Sequence, residues 1–234
     1  MHLRYVLAIV LGLACPATAE ELRIGTDPTF APYIFSKGGG RLAGMDKDVM
    51  DEICRRAAFE CVWSKASFKS LIPAVQAGQI DVAIAGMANS SARLKKVDFT
   101  LVYSAAAGPS LYVGMPGAPP PAKARVGVKS GTIHAEHLAK KRRKATQFAT
   151  EAAALDALVA GEIDLFFASN SYLIEAQKRD RRGWVFAYEE VIEADGAAIA
   201  LRKGDRALKA RLDKAILSMQ ADGTLKKLNH KWFD

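Results

Sequence analysis

The chain has 234 residues, 50% of them hydrophobic, and 33 Lys and Arg against 25 Asp and Glu give a net charge of +8. That length and apolar content fit one large domain or two small ones with real cores. The cations are scattered apart from Lys140-Lys141-Arg142-Arg143-Lys144, which has no interleaved aromatics, so a solvated helix end is expected there and no nucleic-acid partner.

Met1-His2-Leu3-Arg4 is a short basic start, residues 5–14 are almost wholly apolar, and Ala17-Thr18-Ala19 is a small-x-small site. This is the anatomy of a secretory signal peptide over 1–19, cleaved after Ala19. The apolar run is too short for a membrane span, which needs ~20 residues. Lipid attachment at Cys15 is the weaker alternative, because Gly12-Leu13-Ala14 is a poor acylation signal. No later stretch is long and apolar enough to cross a bilayer, so a soluble, periplasmic chain is expected. Removing the leader leaves Cys54 and Cys61. An even number in an oxidising compartment points to a disulfide, here closing a turn between a helix end and the next strand. A metal site is the weaker reading, since no other Cys or His lies near in sequence.

The mature chain alternates strand and helix. Strand 22–25 is followed by helix 46–58, with Val49, Met50, Ile53 and Ala57 on one face. Strand 61–63 leads to helix 68–77, where Pro73 is tolerable only in the first turn. Strand 82–85 and an extended region over 99–113 follow. The Pro/Gly-rich stretch 114–121 is the best linker. A second unit has a strand from 125, helix 133–140, strand 147–149, helix 151–160, strand 165–168 and helix 171–178. Strands 185–188 and 197–201 then precede a long amphipathic helix, 205–221.

The chain also repeats itself. Ala77-Gly78-Gln79-Ile80-Asp81 is echoed by Ala160-Gly161-Glu162-Ile163-Asp164, each a helix end and Gly-x-Ile-Asp before a strand. The glycine suits the left-handed position that ends a helix. Two such units predict two α/β lobes, with largely parallel sheets and helices outside. Ligands in such sheets bind beyond the carboxyl ends of strands. Four strand-end loops qualify, two per unit: 26–30, 85–93, 129–132 and 168–170.

Arg23-Ile24-Gly25-Thr26-Asp27, Gly44-Met45-Asp46-Lys47-Asp48, Leu71-Ile72-Pro73-Ala74, Gly78-Gln79-Ile80-Asp81, Ala221-Asp222-Gly223-Thr224 and Lys231-Trp232-Phe233 occur in that order. Together they resemble the polar amino-acid-binding proteins of bacterial ABC importers, which have the type II periplasmic solute-binding fold. Glu52-Ile53-Cys54 to Glu60-Cys61-Val62-Trp63 looks most like the lysine/arginine/ornithine, histidine and opine binders, whose disulfide at matching positions supports Cys54–Cys61. The resemblance implies two doubly wound sheets joined by two hinge strands, with 20–113 plus 201–234 as one lobe and 114–200 as the other. It implies a monomer that captures a carboxylate-bearing small molecule between closing lobes and delivers it to an inner-membrane permease, with no cofactor, metal or catalytic residue.

Residue by residue, the resemblance makes Arg93 the partner of a ligand carboxylate, which a guanidinium fork binds bidentately. Thr132 contacts the same carboxylate or is a plain N-cap, and both roles can hold together. Phe30, bracketed by Pro28 and Pro32, matches a position that stacks on the ligand. Asp27 either meets a cationic group or caps its own loop. Gly86, Met87 and Ala88 offer backbone groups, Lys129 and Ile133 belong to the third loop, and His134 lies where relatives use a polar contact. His134 and His137 have metal-pair spacing, but no acidic or cysteine partner lies at a helpful offset.

The departures matter as much. Where α-amino acid binders hold the ammonium with an Asp, this chain has Ser169 and then Asn170. A buried ammonium without its counter-ion costs several kcal/mol. Either Asp27, Glu190 or Glu193 substitutes, or the ligand's nitrogen is absent, alkylated or differently placed, as in an opine. The alternative functions are a cyclohexadienyl/arogenate dehydratase-like enzyme on the same fold, using Arg93 with His134, Glu136 or Asp27 as acid/base, and a periplasmic sensor or dehydrogenase accessory protein.

Overall fold

The computed structural model describes residues 19–105 and 108–233. The expected signal peptide and Cys15 lie outside the described residues.

Two five-stranded sheets organise the chain. In the first, the spatial order is Phe59–Lys65, Glu20–Thr26, Val82–Ala83, Ala200–Leu201 and Asp98–Phe99. Its first three strands are parallel, and Ala200–Leu201 runs antiparallel to its neighbours. In the second the order is Ala145–Phe148, Val126–Lys129, Leu165–Ala168, Ser110–Gly114 and Val185–Glu190. Between the lobes, Ser104–Ala105 pairs antiparallel with Gly196–Ala197.

Each sheet is covered on both faces, and its central strands show why. Val82 and Ile84 face a core built with the Met45–Ala57 and Arg206–Ala221 helices, while Ala83 and Ala85 face the Phe68–Gln76 helix. In the other lobe Phe166 and Ala168 face one cluster, and Leu165 and Phe167 the opposite one. Successive side chains on a strand point to opposite faces, so a strand buried on both sides reads as a continuous apolar run.

The internal repeat extends further than the glycines. Gly78 and Gly161 take φ of +70° and +74°, ending their helices as expected. The aspartate of each copy grips an arginine, one within the Glu20–Thr26 strand and the other just before the Val126–Lys129 strand. Asp81 accepts from the Arg23 N–H and guanidinium, and Asp164 does the same for Arg125. Two residues beyond each arginine stands a glycine, Gly25 or Gly127. A Cβ there would lie 2.4 or 2.5 Å from Cδ1 of Ile80 or Ile163. Arg-x-Gly is thus the other half of each Gly-x-Ile-Asp unit.

Some expectations need correction. The 114–121 stretch is not the inter-lobe linker, because Ser110–Gly114 before it and Val126–Lys129 after it share one sheet. For the same reason 110–113 does not belong with the first lobe, and Ala200 does, pairing with Ala83 and Phe99. Pro73 lies beyond the first turn of the Phe68–Gln76 helix. Its missing N–H there forfeits one bond to the carbonyl four residues back, that of Lys69. A helix at Thr224–Phe233 was not read from periodicity; it packs on the first lobe through Leu225, Leu228, Trp232 and Phe233. The Cys54–Cys61 disulfide is present and ties the end of the Met45–Ala57 helix to the Phe59–Lys65 strand, with a Cα–Cα distance of 6.2 Å.

Candidate functional site

The four strand-end loops converge on a cavity of about 120 Å³ between the lobes. The first lobe contributes Phe30, Tyr33, Phe68, Ala85, Gly86, Ala88 and Arg93 to its wall. The second contributes Ser110, Lys129, Thr132, Ile133, His134, Glu151, Phe167, Ala168, Ser169 and Asn170. Of the residues expected from sequence, Asp27 and Met87 are not in this lining. Met87 continues the alternation Ala83, Ala85, Met87 into the first lobe's core. Asp27 is buried alongside, bonded within the protein.

Ser90 caps the short Ser91–Leu94 helix, accepting from the Arg93 N–H, and so fixes where the guanidinium emerges. Arg93 is 3% exposed. It donates to the Ala88 carbonyl at 2.8 Å and, across the cleft, to the Gly131 carbonyl at 3.0 Å. Its Nε lies 3.8 Å from Glu136. Burial lowers its pKa from the ordinary arginine value, and Glu136 opposes that shift.

Lys129, at the end of the Val126–Lys129 strand, is the second buried cation. Its Nζ is 2.9 Å from Asp27 Oδ2 and 3.0 Å from Glu151 Oε2, and it donates to Thr29 Oγ1 at 2.9 Å. Asp27 also accepts from the Phe68 N–H at 3.0 Å and the Thr29 hydroxyl at 2.8 Å. Phe68 presents its ring to both cations, each 5.3 Å from the ring centre. Asp27 is therefore paired with a cation of the protein itself.

Glu151 was not read as a site residue. It opens the Glu151–Val159 helix after the Thr150 cap, where a carboxylate is ordinarily explained by the helix dipole. Here it is 3% exposed and lines the cavity, with Lys129 Nζ as the partner of its Oε2. Burial raises its pKa, Lys129 opposes this, and the Asp27 charge adds to it. Glu190 and Glu193, the expected substitute acids, are not in the cavity wall. Glu190 is held by His137, Lys141, Arg143 and Tyr112.

The remaining predicted residues have plain local roles as well. Thr132 and Ser169 cap the helices that follow, accepting from the Ala135 and Tyr172 N–H groups. The Gly86 N–H donates to Asp46 at 2.7 Å, and Tyr103 donates to the other Asp46 oxygen at 2.6 Å. His134 contacts Ser110 Oγ at 3.0 Å and is pushed down to about 3, chiefly by burial, so its imidazole is neutral. His137 contacts Glu190 instead, so the two histidines serve different partners.

Two features join the lobes around the cavity. Phe30 stacks on Tyr33 at 5.4 Å and on Tyr172 of the second lobe at 5.9 Å, with the rings within 10° of parallel. Gly131, at φ +74°, meets Lys69 so closely that a Cβ would be 3.0 Å from the lysine Cβ.

Residues 22–234 match the model of the bacterial extracellular solute-binding proteins, family 3. The histidine-binding periplasmic protein of Salmonella typhimurium is 32% identical, covering 100% of this chain and 96% of its own. A periplasmic His/Glu/Gln/Arg/opine family-binding protein from Silicibacter pomeroyi, solved in complex with lysine, superposes with TM-score 0.85 and 33% identity, over 91% of this chain and 96% of that one. An ancestral arginine-binding protein bound to arginine gives TM-score 0.85 and 30% identity, over 93% and 100%. With two wound sheets, a cleft at their strand ends and this agreement along the described chain, the protein belongs to the bacterial extracellular solute-binding proteins of family 3.

Proposed function

We propose that the protein is the periplasmic, monomeric substrate-binding component of an ABC importer, capturing an amino-acid-like carboxylate between its lobes and handing it to a membrane permease. The observation that carries this reading is Arg93. It is buried in the cavity wall and anchored to carbonyls of both lobes, with guanidinium donors left over for an anion. A carboxylate there reinforces the link between lobes, so capture and closure are one event. The chain passes between the lobes on either side of the Ser104–Ala105 and Gly196–Ala197 pair, which makes those crossings the hinge.

An enzymatic role is not part of this reading. His134 is neutral across the physiological range and faces Ser110, so it is a poor proton donor or acceptor there. A thermal-shift screen of the mature protein against L-amino acids, opines, betaines and simple carboxylates tests the proposal. A ligand binding at micromolar Kd or tighter, about −8 kcal/mol, gives a saturable rise in Tm. No shift with any carboxylate, or turnover of prephenate or arogenate to an aromatic product, would overturn it.

A further inference from the structure

We infer that Glu151 is the acid that recognises a cationic nitrogen of the ligand, making that ligand a zwitterion held by Arg93 at its carboxylate and by Glu151 at its ammonium. This rests on the carboxylate-binding reading above and specifies its other end.

Charge balance is the first argument. Asp27, Lys129 and Glu151 form one cluster, each side chain at most 6% exposed. Two carboxylates share one ammonium, so the cluster as built is one positive charge short when both acids are ionised. Lys129 is better engaged on the Asp27 side, where Thr29 accepts from Lys129 and donates to Asp27. Glu151 is the member left wanting a cation.

Access is the second. Among the described residues lining the cavity, Glu151 is the one carboxylate. Asp27 is covered, with its oxygens accepting from Phe68 N–H and Thr29. Asp46 is committed to Gly86 and Tyr103, and Glu190 to its basic cluster. Glu136 lies by Arg93, where a second positive group is not needed. Glu151 shares its Lys129 with Asp27 and stands in the cavity wall, so its carboxylate keeps lone pairs for a ligand N–H.

Ser169 and Asn170 complete the picture. Both line the cavity without charge, so a zwitterion bound here is turned toward the Glu151 side and not toward the 169–170 loop. The inference therefore predicts an amine requirement even though the acid is missing from the 168–170 loop.

Isothermal titration of the mature protein with matched pairs tests this: L-alanine and propionate, L-phenylalanine and 3-phenylpropionate, L-glutamine and 4-carbamoylbutanoate, and the other common L-amino acids with their deaminated counterparts. The wild type is expected to prefer the aminated member of at least one pair by about 100-fold. Glu151→Gln should cut that preference to about tenfold or less, while affinity for the deaminated member changes by less than about threefold. Should the Gln variant fail to melt cooperatively, Glu151→Asp decides, since a shortened carboxylate should weaken the aminated ligand alone. Equal binding of both members by the wild type, or an undiminished preference in a folded Glu151 variant, would overturn the assignment while leaving the carrier reading intact. Binding of no carboxylate at all overturns the carrier reading, and the assignment with it.

Discussion

Arg93 holds carbonyls on opposite sides of the cleft, Ala88 and Gly131, while its remaining donors face the cavity. Removing it strips the carboxylate partner and leaves two carbonyls without their donor. Arg93→Ala should weaken ligand binding by about 3 kcal/mol, near 100-fold in Kd, and Arg93→Lys should recover only part, because a lysine lacks the planar fork. Titration calorimetry with a ligand from the screen checks both. At this scale the sequence was informative where one residue type in one loop announces its chemistry. Arg93 ends a loop of small residues, and ten of the twelve residues expected in the site line the cavity. Glu151 was invisible for a physical reason. Its partner Lys129 and the acid that shares it, Asp27, lie 22 and 124 positions away, and an acid at a helix start already has an ordinary explanation. Met87 misled because its backbone follows a ligand loop while its side chain obeys strand alternation.

The Val185–Glu190 strand, at the edge of the second sheet, is anchored at its end by Glu190. Burial pushes the Glu190 pKa up, but His137, Lys141, Tyr112 and Arg143 outweigh it and hold the carboxyl at about 2. An acid depressed in the fold contributes stability above its unfolded pKa, and that contribution is lost as pH falls toward its folded value. Glu190→Gln should therefore cost about 2 kcal/mol at pH 7 and make the acid limb between roughly pH 4.5 and 2 shallower. Urea melts across that range measure it. Elements were legible where periodicity and punctuation agreed, as at Gly78 and Gly161. The Thr224–Phe233 helix escaped because only Leu225 is fully buried on it, leaving too thin an apolar stripe to read. The Pro/Gly stretch misled because punctuation marks a turn without saying whether the chain leaves its sheet.

Across the whole molecule, Asp46 ties the Met45–Ala57 helix to the cavity loop at Gly86 and, through Tyr103, to the crossing between lobes. It is fully buried, and burial raises its pKa from 3.8 to about 7 against the opposing hydrogen bonds from Tyr103 and Gly86. The sign is opposite to that of Glu190. The fold holds the proton more tightly than the unfolded chain, so stability falls as pH rises from about 4 to about 7, by at most ~1.4 kcal/mol per unit. Glu151, also raised, works in the same direction. Wild type should show a higher urea midpoint at pH 5 than at pH 7.5, and Asp46→Asn should flatten that difference. The two-lobed architecture itself could be read because its repeat is written twice, whereas the meeting of the lobes depends on pairs no local pattern encodes.

The ring ladder Tyr33–Phe30–Tyr172 has a further consequence. Two of its rings belong to one lobe and the third to the other, stacked nearly parallel. Chromophores fixed in a chiral stack couple optically, and lifting Tyr172 away would uncouple it from the other two. The protein thus carries an unlabelled spectroscopic gauge of its own opening, legible in the tyrosine region of near-ultraviolet circular dichroism.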